Sequence, residues 1–432
     1  MSHSLDPTLV QPLEAQVPRP AQDDEPTELI LLPSLKAFRG PRGGLVLTQK
    51  FIDGVAAYAR SWPGRVTTLV GLTDTPGSDM DHVEVLPETL APDLEVRPAG
   101  LDELARRLRG AALVSGFLSP YELETARLCK RLGVPLVFTS EYTLRTEKQI
   151  LDAEVTNPLI RWRRKLWVTQ AERKRRQALA LAAGLQCSGA PTYEVYRHLH
   201  PEVMIFFDNR VPRSDVIDAE SLEAKLEAMR CNLPLRLVFG GRLIAMKGVR
   251  DLPRLAQALK RAGVEFTLDI YGRGRLEDEL ARDIRRMGLG GEVQLKGVVD
   301  FRREWVPLLK RTTDLFVCCH PQGDPSSTYP EVMSCGVPIA GYDNEAFQGI
   351  VRHSGSGWLS PTGDVEHLAQ TVARLAKARD ELARAARRAR EFALAHAFED
   401  TFSARVRHMV RLSRLPDDMK QRWTSSRLED RA

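Results

Sequence analysis

The sequence predicts an α/β protein made of two doubly wound domains that face each other across a cleft. The chain has 432 residues, which is too long for one compact core, so two or more domains are expected. Short runs of β-forming residues alternate with helical stretches, and this alternation indicates right-handed βαβ units with parallel sheets. Ligands of such sheets bind beyond the carboxyl ends of the strands, so the cleft is the expected site.

The first domain is expected over residues 27–212. It follows a lead-in, 1–26, whose Pro, Asp, Glu and Gln content without periodicity indicates disorder. Candidate strands lie at 29–32, 66–70, 94–96, 111–114, 135–139, 185–187 and 203–207, with helical patterns near 45–60, 101–109, 119–132, 159–182 and 191–199.

The second domain is expected over residues 213–395. The alternation breaks at "NRVPRSDVIDAESLEAKLEAMRCNLP", which has the character of a polar connection between domains. It then resumes with strands at 235–239, 266–271, 293–296, 314–319, 337–341 and 357–359, and with helices near 249–262, 275–287, 302–311, 330–335, 344–352 and 364–378. A helix over 396–415 and a polar tail, 416–432, complete the chain.

Composition excludes several classes of protein. The chain is 43% hydrophobic and 28% charged, as globular proteins are. No window approaches the roughly 18 apolar residues of a membrane span, and the N-terminus lacks the apolar core of a signal peptide. The six cysteines show no metal-ligand spacing, which indicates a reduced, cytoplasmic protein. A net charge of +5 does not by itself indicate an anionic partner.

The loop after the first strand of the second domain, "FGGRLIAMKGVRDL", has the character of a phosphate site. Gly240 and Gly241 let a ligand approach the backbone, and Arg242 and Lys247 flank the loop. Two fixed cations beside a helix N-terminus can neutralise a diphosphate without a metal ion. The alternative is a glycine turn with two solvated cations.

Two further loops end at the same edge of the predicted sheet. "YGRGRLEDEL" contains Gly272 in a Gly-x-Gly turn, but the third glycine of a dinucleotide fingerprint would fall at Glu277, so nicotinamide binding is not expected. A tight turn near a ligand is the preferred interpretation. In "LKGVVD", backbone groups around Val298 could bind a nucleobase, and a plain turn is the alternative.

The segment "HPQGDPSSTYPEVMSCGVP" predicts a very short helix after a buried strand. Pro330 suits the first helical position, where its missing N–H costs nothing, and Glu331 follows in the first turn, where the helix dipole favours a carboxylate. Such a carboxylate can accept two ribose hydroxyls, although a Glu that merely complements the dipole is the alternative. Small residues upstream, among them Ser327 and Thr328, leave room for a sugar to contact the backbone.

These motifs together carry a family resemblance. "FGGRLIAMKGV", "IYGRGRLEDEL", "LKGVVD", "DLFVCCHPQ…PEVMSCGVPIAG" and "SGSGWLSPTGD" occur in an order and spacing similar to those of retaining family-4 (group 1) glycosyltransferases of the GT-B type, which have two Rossmann-like domains. The resemblance is strong over 235–380 and mostly architectural over 29–212. It implies a nucleotide-sugar substrate and no metal cofactor, with Arg242 and Lys247 on the diphosphate and Glu331 on the ribose. It also implies that the last helix packs back across the first domain.

One position departs from the family pattern. The first glutamate of the Glu-x7-Glu motif would stand at 323, where this chain has Gly323. Either the loop is rebuilt so that Asp324 supplies the carboxylate, or Ser327, Thr328 and backbone N–H groups hold the sugar. A rebuilt loop in an active enzyme is the preferred interpretation, because the two cations and Glu331 are present.

The first domain is expected to hold the acceptor. Gly43 and Gly44 precede a predicted helix and match the family's glycine loop at the cleft, where Arg42 would add a cation. Glu141 follows the strand at 135–139 and is the candidate to face the anomeric carbon, with a surface Glu as the alternative.

Residues 159–176 form a basic helical stretch. Residues 160–176 hold eight Lys/Arg, one Glu and two Trp, and Leu159, Trp162 and Leu166 share one face. This suits contact with an anionic membrane surface, and a solvated basic helix is the alternative. Nucleic acid is not expected as a partner, because no recognition motif accompanies the stretch.

The sequence therefore predicts a nucleotide-sugar-dependent glycosyltransferase with a glycan or lipid-linked acceptor, of the kind that builds bacterial exopolysaccharide or surface polysaccharide. A nucleotide-sugar epimerase on the same plan and a catalytically silent sugar-nucleotide-binding protein are the alternatives.

Overall fold

The computed structural model describes residues 28–74, 82–86, 93–231 and 234–414. The predicted lead-in 1–26 and tail 416–432 lie outside these residues. Two separate sheets, one of ten strands and one of six, organise the described chain. The prediction of two doubly wound α/β domains is confirmed.

The first sheet and its helices come from the N-terminal half of the chain. The strands are β1 (Leu29–Leu32), β2 (Lys36–Arg39), β3 (Leu45–Thr48), β4 (Val66–Leu72), β5 (His82–Val85), β6 (Asp93–Val96), β7 (Leu113–Phe117), β8 (Leu136–Ser140), β9 (Gly184–Ser188) and β10 (Val203–Phe206). The helices are α1 (Gln49–Ser61), α2 (Leu101–Leu108), α3 (Leu123–Leu132), α4 (Leu144–Glu154), α5 (Pro158–Ala180) and α6 (Ala190–Tyr196).

The spatial order of this sheet is β10-β9-β8-β7-β1-β4-β2-β3-β5, and β6 also pairs with β4. Strands β1, β4 and β6 to β10 pair in parallel. All four residues of β1 are buried, since helices cover both faces of the sheet at its centre.

The edge of the first sheet differs from the prediction, because β3 pairs antiparallel with both β2 and β5. The helix predicted near 45–60 therefore begins only at Gln49. The four residues before it, Leu-Val-Leu-Thr, are β-formers and are buried in the sheet edge. Thr48 ends the strand and caps α1, accepting a hydrogen bond from the Phe51 N–H at 3.2 Å.

Two helices escaped the sequence-based prediction. Helix α4 follows β8 directly, and Thr143 caps it by accepting from Thr146 N at 3.0 Å. The supposed polar connection also contains a helix, α7 (Ala219–Cys231), which buries Leu222, Leu226 and Met229 in the core of the second domain. The polar character that indicated a linker belongs to the outer face of that amphipathic helix.

The second sheet is wholly parallel, in the order β13-β12-β11-β14-β15-β16. The strands are β11 (Leu235–Gly240), β12 (Phe266–Tyr271), β13 (Val293–Gly297), β14 (Leu315–Cys318), β15 (Ile339–Tyr342) and β16 (Trp358–Ser360). The helices are α8 (Asp251–Arg261), α9 (Glu277–Arg286), α10 (Val306–Thr312), α11 (Thr328–Ser334), α12 (Glu345–Ser354), α13 (Val365–Lys377) and α14 (Arg379–Ala395). A single π turn, Phe301–Trp305, precedes α10.

The last helix, α15 (Phe398–Ser413), packs on the first domain. Phe402, Val406 and Met409 share one hydrophobic cluster with β1 and α1, and the rings of Phe402 and Tyr58 meet edge-to-face at 5.0 Å. The chain thus passes from the first domain to the second after β10 and returns after α14, so two segments connect the domains.

Candidate active site

The carboxyl ends of both sheets face a cavity of about 1240 Å³ between the domains. Nine of the predicted site residues line it: Glu141, Gly241, Arg242, Lys247, Gly272, Val298, Ser327, Thr328 and Glu331. They come from loops that follow four strands of the second sheet and one strand of the first. Asp324, Gly43 and Gly44 are not among the lining residues.

Glycines at the ends of β11 and β12 leave room for neighbouring atoms of the protein. A Cβ at Gly240 would lie 2.4 Å from the ring of Trp305. A Cβ at Gly272, whose φ is +124°, would lie 1.9 Å from the carbonyl oxygen of Gly241. The two loops therefore pack backbone against backbone at the cavity wall, which holds the neighbouring cations in place.

Lys247 ends a one-turn 3₁₀ helix, Ala245–Lys247, that precedes α8. The next residue, Gly248, has φ +65°, and a Cβ there would lie 1.7 Å from the carbonyl oxygen of Cys319. Only glycine fits this turn, and the turn directs Lys247 back toward the cavity.

Among the described residues, Arg242 has no ion-pair partner, so its guanidinium is available to a ligand.

Lys247 already has a counter-ion in the protein. Its Nζ lies 2.5 Å from Oδ2 of Asp324, and both side chains are about nine-tenths buried. Burial alone would raise the pKa of the Asp324 carboxyl, but the charge of Lys247 and its hydrogen bond outweigh burial and lower that pKa. Asp324 therefore contacts Lys247, the cation predicted to bind the diphosphate, and does not itself line the cavity.

The loop at Gly323 contacts the first domain closely. The N–H of Gly323 donates to Oε1 of Gln149 at 3.1 Å, and a Cβ at 323 would lie 2.7 Å from Oε2 of Glu345. Helix α4 of the first domain thus packs directly on this loop. A side chain at 323 would require the Glu345 carboxylate to move, and a glutamate there would place a second carboxylate beside it.

Glu331 lies in α11 at the cavity wall and is buried. Its Oε1 has no hydrogen-bond partner among the described residues. Burial raises the pKa of Glu331, and the positive charges of Arg210 and Lys50 only partly oppose this. A buried carboxylate oxygen without a partner is costly, so this oxygen is suited to accept hydrogen bonds from a ligand.

Contacts from outside the helix explain why so short an element as α11 is stable. Lys225 donates from Nζ to the carbonyl oxygen of Cys335 at 3.0 Å, which places a cation at the negative end of the helix dipole. The N–H of Ile217 donates to the Ser334 carbonyl oxygen at 2.8 Å. Gly336, with φ +64°, ends the helix in the left-handed conformation. These contacts present Glu331 rigidly to the cavity.

The prediction that Gly43 and Gly44 lie at the cleft is wrong. Gly43 and Gly44 form the tight turn between β2 and β3, and Gly44 N donates to Oε1 of Glu84 at 3.0 Å. Arg42 pairs with the same Glu84 at 3.2 Å and is largely exposed. The antiparallel edge carries this turn away from the cavity, which is lined instead by residues 33–35 and the start of α1.

Lys50 and Asp208 are among the cavity residues that the sequence analysis did not predict. Lys50, in the first turn of α1, lies with its Nζ 2.6 Å from Asp208 Oδ2 and 3.5 Å from Ser327 Oγ, so it reaches across the cleft. Asp208 comes shortly after β10, and a carboxylate after a parallel strand is a signal the sequence did offer. Glu141 faces the same region, where burial between the cleft walls raises its pKa.

The two domains also contact each other beside the cavity. Glu154 at the end of α4 accepts from Met246 N at 2.8 Å and pairs with Arg275. Arg302 pairs with Asp53 at 3.1 Å on the other side. These contacts join the two domains on both sides of the cavity.

The second domain matches a known family. Residues 232–392 match the model described as "Glycosyl transferases group 1". This domain is a group 1 glycosyl transferase domain. The matched stretch contains Arg242, Lys247 and Glu331, so the predicted family is confirmed on the part of the chain that carries those residues.

Two curated relatives are similar to part of this chain. The amylovoran biosynthesis glycosyltransferase AmsK of Erwinia amylovora is 28% identical over 167 residues, and the putative colanic acid biosynthesis glycosyltransferase WcaL of Escherichia coli K12 is 28% identical over 165 residues. Either alignment covers 37% of this chain and 40% of the relative.

Solved structures match over nearly the whole chain. The complex of Anabaena HepE with UDP superposes with a TM-score of 0.61 at 15% identity, covering 89% of this chain and 99% of that one. A glycosyltransferase from Rickettsia africae superposes with a TM-score of 0.58 at 11% identity, covering 94% and 100%. At such identities the likeness concerns the fold alone, which is the two-domain GT-B fold.

Helix α5 of the first domain has an exposed end that carries basic and aromatic side chains. Leu159, Trp162 and Trp167 are 73%, 60% and 49% exposed, and exposed Tyr121 lies beside Trp167 with ring centroids 6.3 Å apart. Arg163 and its neighbour at 164 are exposed and have no ion pair among the described residues. No helix in the described ranges has an apolar stretch long enough to span a bilayer.

Proposed function

We propose that the protein transfers a sugar from a nucleotide-sugar donor to a glycan or lipid-linked acceptor in the synthesis of a bacterial exopolysaccharide or surface polysaccharide. The observation that carries this proposal is the grouping of Arg242, Lys247 and the buried Glu331 oxygen, which has no partner among the described residues, at one edge of the second sheet in the cavity between the domains. The group 1 domain and the polysaccharide glycosyltransferases named AmsK and WcaL support it.

The arrangement of the nucleotide sugar follows from charge and hydrogen-bonding capacity. Arg242 and Lys247 would bind the diphosphate, and Glu331 would accept hydrogen bonds from the two ribose hydroxyls. Backbone groups around Val298, which lines the same wall, would contact the base, and Ser327 and Thr328 would contact the sugar. The solved complexes of HepE with UDP and with UDP-glucose support a nucleoside diphosphate ligand for this fold.

We infer that transfer proceeds with retention of configuration on a hexose and without a metal ion. The bond between the anomeric carbon and the diphosphate breaks, the acceptor oxygen bonds on the same face, and its proton passes to the departing phosphate oxygen. Arg242 and Lys247 would stabilise the developing negative charge, which is the largest contribution asked of the protein. Glu141 would face the anomeric carbon from the first domain.

We propose that Asp324 acts through Lys247. It neutralises Lys247 while the cleft is empty, and an incoming diphosphate would compete with it for the same ammonium group. Asp324 is also the carboxylate nearest in sequence to position 323, so rearrangement on binding could present it to the sugar. Domain closure around both would exclude water from the reacting groups.

The test is a thermal-shift screen of the whole protein against nucleoside diphosphates and nucleotide sugars. A ligand at a hundred times its Kd should stabilise the fold by about 2.7 kcal/mol. Glu331→Gln should abolish most of that shift, because the amide can accept fewer hydrogen bonds. Glu265→Gln, an exposed change before β12 at the far end of the sheet, is the matched control. Equal shifts in the two variants would contradict the site.

Product analysis separates the alternatives. A labelled sugar should appear in an oligosaccharide or lipid product when an extract of acceptors is supplied. An isomerised nucleotide sugar without an acceptor product would indicate an epimerase. Nucleotide binding without any turnover would indicate a silent binding protein, for which the glycine at 323 is the argument.

We also propose that the protein works in the cytoplasm, at the inner face of the membrane, through the exposed end of α5. Its aromatic and leucine side chains would enter the lipid interface, while its arginines would attract anionic headgroups at about 1 kcal/mol each. All six cysteines are free, as expected in a reducing compartment.

Vesicle sedimentation tests this surface. Vesicles containing phosphatidylglycerol should bind the protein, and pure phosphatidylcholine should bind it at least tenfold more weakly. Arg163→Glu with Arg164→Glu should remove the difference. Arg282→Glu with Arg285→Glu, on exposed positions of α9, is the charge-matched control. Equal binding to the two vesicle types would exclude an electrostatic membrane contact.

A further inference from the structure

Arg405 is a buried guanidinium on the first-domain side of the cavity. It belongs to α15, is 8% exposed, and lines the cavity wall. Its Nε donates to Oε1 of Gln186 at 2.8 Å and its Nη2 donates to Oγ1 of Thr139 at 3.1 Å. Both partners are neutral, and no hydrogen bond of Nη1 occurs among the described residues.

Three aromatic rings surround this guanidinium. Its central carbon lies 4.1 Å from the ring centre of Phe206, 5.2 Å from that of Tyr58 and 5.4 Å from that of Phe402. All three rings also line the cavity. Aromatic surfaces of this kind stack on sugar rings, while cation–π contact holds the guanidinium in a fixed orientation.

The charge of Arg405 is not paired within the described chain. No carboxylate there lies within ion-pair distance of it. Asp208 interacts with it electrostatically but is paired with Lys50 at 2.6 Å, and burial raises the pKa of Glu141, which also interacts with it. A buried cation without a paired anion is costly, and a ligand that supplied the anion would recover that cost.

We propose that Arg405 and the rings of Tyr58, Phe206 and Phe402 form a subsite for an anionic group on the acceptor. The group is either the carboxylate of an acidic sugar residue or the phosphate that joins a glycan to a lipid. The proposal rests on the proposed function, since it places the acceptor opposite the nucleotide-binding wall. Arg405 is a binding and positioning residue in this scheme, not a participant in bond exchange.

A purely structural role is the competing explanation, because Arg405 also ties α15 to β8 and β9. The two roles differ in what they require. A structural tie needs the hydrogen bonds to Gln186 and Thr139, whereas anion binding needs the positive charge beside the cavity. Gln186→Met removes one of these hydrogen bonds and keeps the positive charge of Arg405, whereas Arg405→Gln removes that positive charge.

The experiment measures binding of small acceptor probes by calorimetry to the whole protein. The probes are methyl glucuronide, methyl glucoside as its neutral counterpart, and glucose 1-phosphate as the phosphate-bearing source. Wild type is expected to bind at least one anionic probe about tenfold or more tightly than the neutral one, as a charge-assisted hydrogen bond implies. Which anionic probe binds distinguishes carboxylate from phosphate.

The variants decide between the two roles. Arg405→Gln should remove the preference for the anionic probe, and Arg405→Lys should retain part of it and serves if the first variant does not fold. Gln186→Met should lower the Tm and keep the preference. Arg407→Gln, an exposed change two residues along the same helix, should alter neither.

Three results would overturn the subsite: equal wild-type affinity for charged and neutral probes, a preference that survives in Arg405→Gln, or a preference lost equally in Gln186→Met. The nucleotide-induced thermal shift is measured in parallel on every variant. Because Arg405 lies away from Arg242 and Lys247, a normal shift with no anion preference would refute this inference alone. Loss of the shift in wild type would refute the proposed function instead.

Discussion

Removing Lys247 should destabilise the empty protein as well as weaken nucleotide binding. At 2.5 Å, in surroundings with an effective dielectric constant of about 20, the attraction between Lys247 and Asp324 is about 7 kcal/mol before desolvation is subtracted. Breaking a buried pair by deleting one partner costs about 3–5 kcal/mol, because the other charge stays buried without a counter-ion. We therefore expect Lys247→Ala to lose about 3 kcal/mol of unfolding free energy at pH 7.

The pH dependence of that loss has a definite sign. In wild type the pKa of Asp324 is lowered, so the pair stabilises the fold above the ordinary carboxyl pKa and loses this contribution as the pH falls. In Lys247→Ala, burial is opposed only by His320 and by the hydrogen bond of Tyr142, so the pKa of Asp324 should rise, and protonation on acidification would relieve the buried charge. The difference between wild type and variant should therefore shrink from pH 7 to pH 5.

Urea denaturation at both pH values measures these differences. The double variant, Lys247→Met with Asp324→Leu, should recover most of the loss, because two apolar side chains can replace a buried ion pair. A Lys247→Ala protein within about 1 kcal/mol of wild type at pH 7 would refute the reasoning. A double variant no more stable than the single one would refute it equally.

Three further changes test the walls of the site. Gly248→Ala should lower the unfolding free energy by about 3 kcal/mol or more, because the new Cβ would meet the Cys319 carbonyl. The control, Gly263→Ala, has φ +69° and nothing within 4 Å of the new Cβ, so it should lose about 1 kcal/mol. Similar Tm values for the two variants would contradict the close approach at Gly248. Burial lowers the pKa of Lys225 to about 8, so between pH 8 and 10.5 this side chain holds fewer protons in the folded state than in the unfolded state. The unfolding free energy should therefore rise over this pH range by up to about 3 kcal/mol. Denaturation curves of Lys225→Met should lack this rise. Gln322 is fully buried, and both its amide atoms lack hydrogen-bond partners among the described residues. Gln322→Leu should therefore leave the unfolding free energy unchanged or raise it by about 1 kcal/mol. A large loss of unfolding free energy would show that the amide is hydrogen-bonded.

The sequence determined the layered architecture and the nucleotide-binding wall. Strands and helices of the second domain follow from local apolar periodicity, and most predicted strands begin or end within two residues of those observed. Arg242, Lys247 and Glu331 could be found because each follows a parallel strand, and the carboxyl ends of such strands share one edge. Helix α4, the antiparallel edge of the first sheet and α7 were missed, since their patterns are short or mostly polar.

Only the tertiary structure decided which charges meet. Lys247 and Asp324 are 77 residues apart, Arg405 and Gln186 are 219 apart, and Lys50 and Ser327 are 277 apart. The same is true of the turn at Gly43 and Gly44, which strand pairing carries away from the cleft. Periodicity reports which face of an element is buried, but the pairing of charges depends on how separately formed elements dock. Desolvation then decides which carboxylates are neutralised by protein and which are left for a ligand.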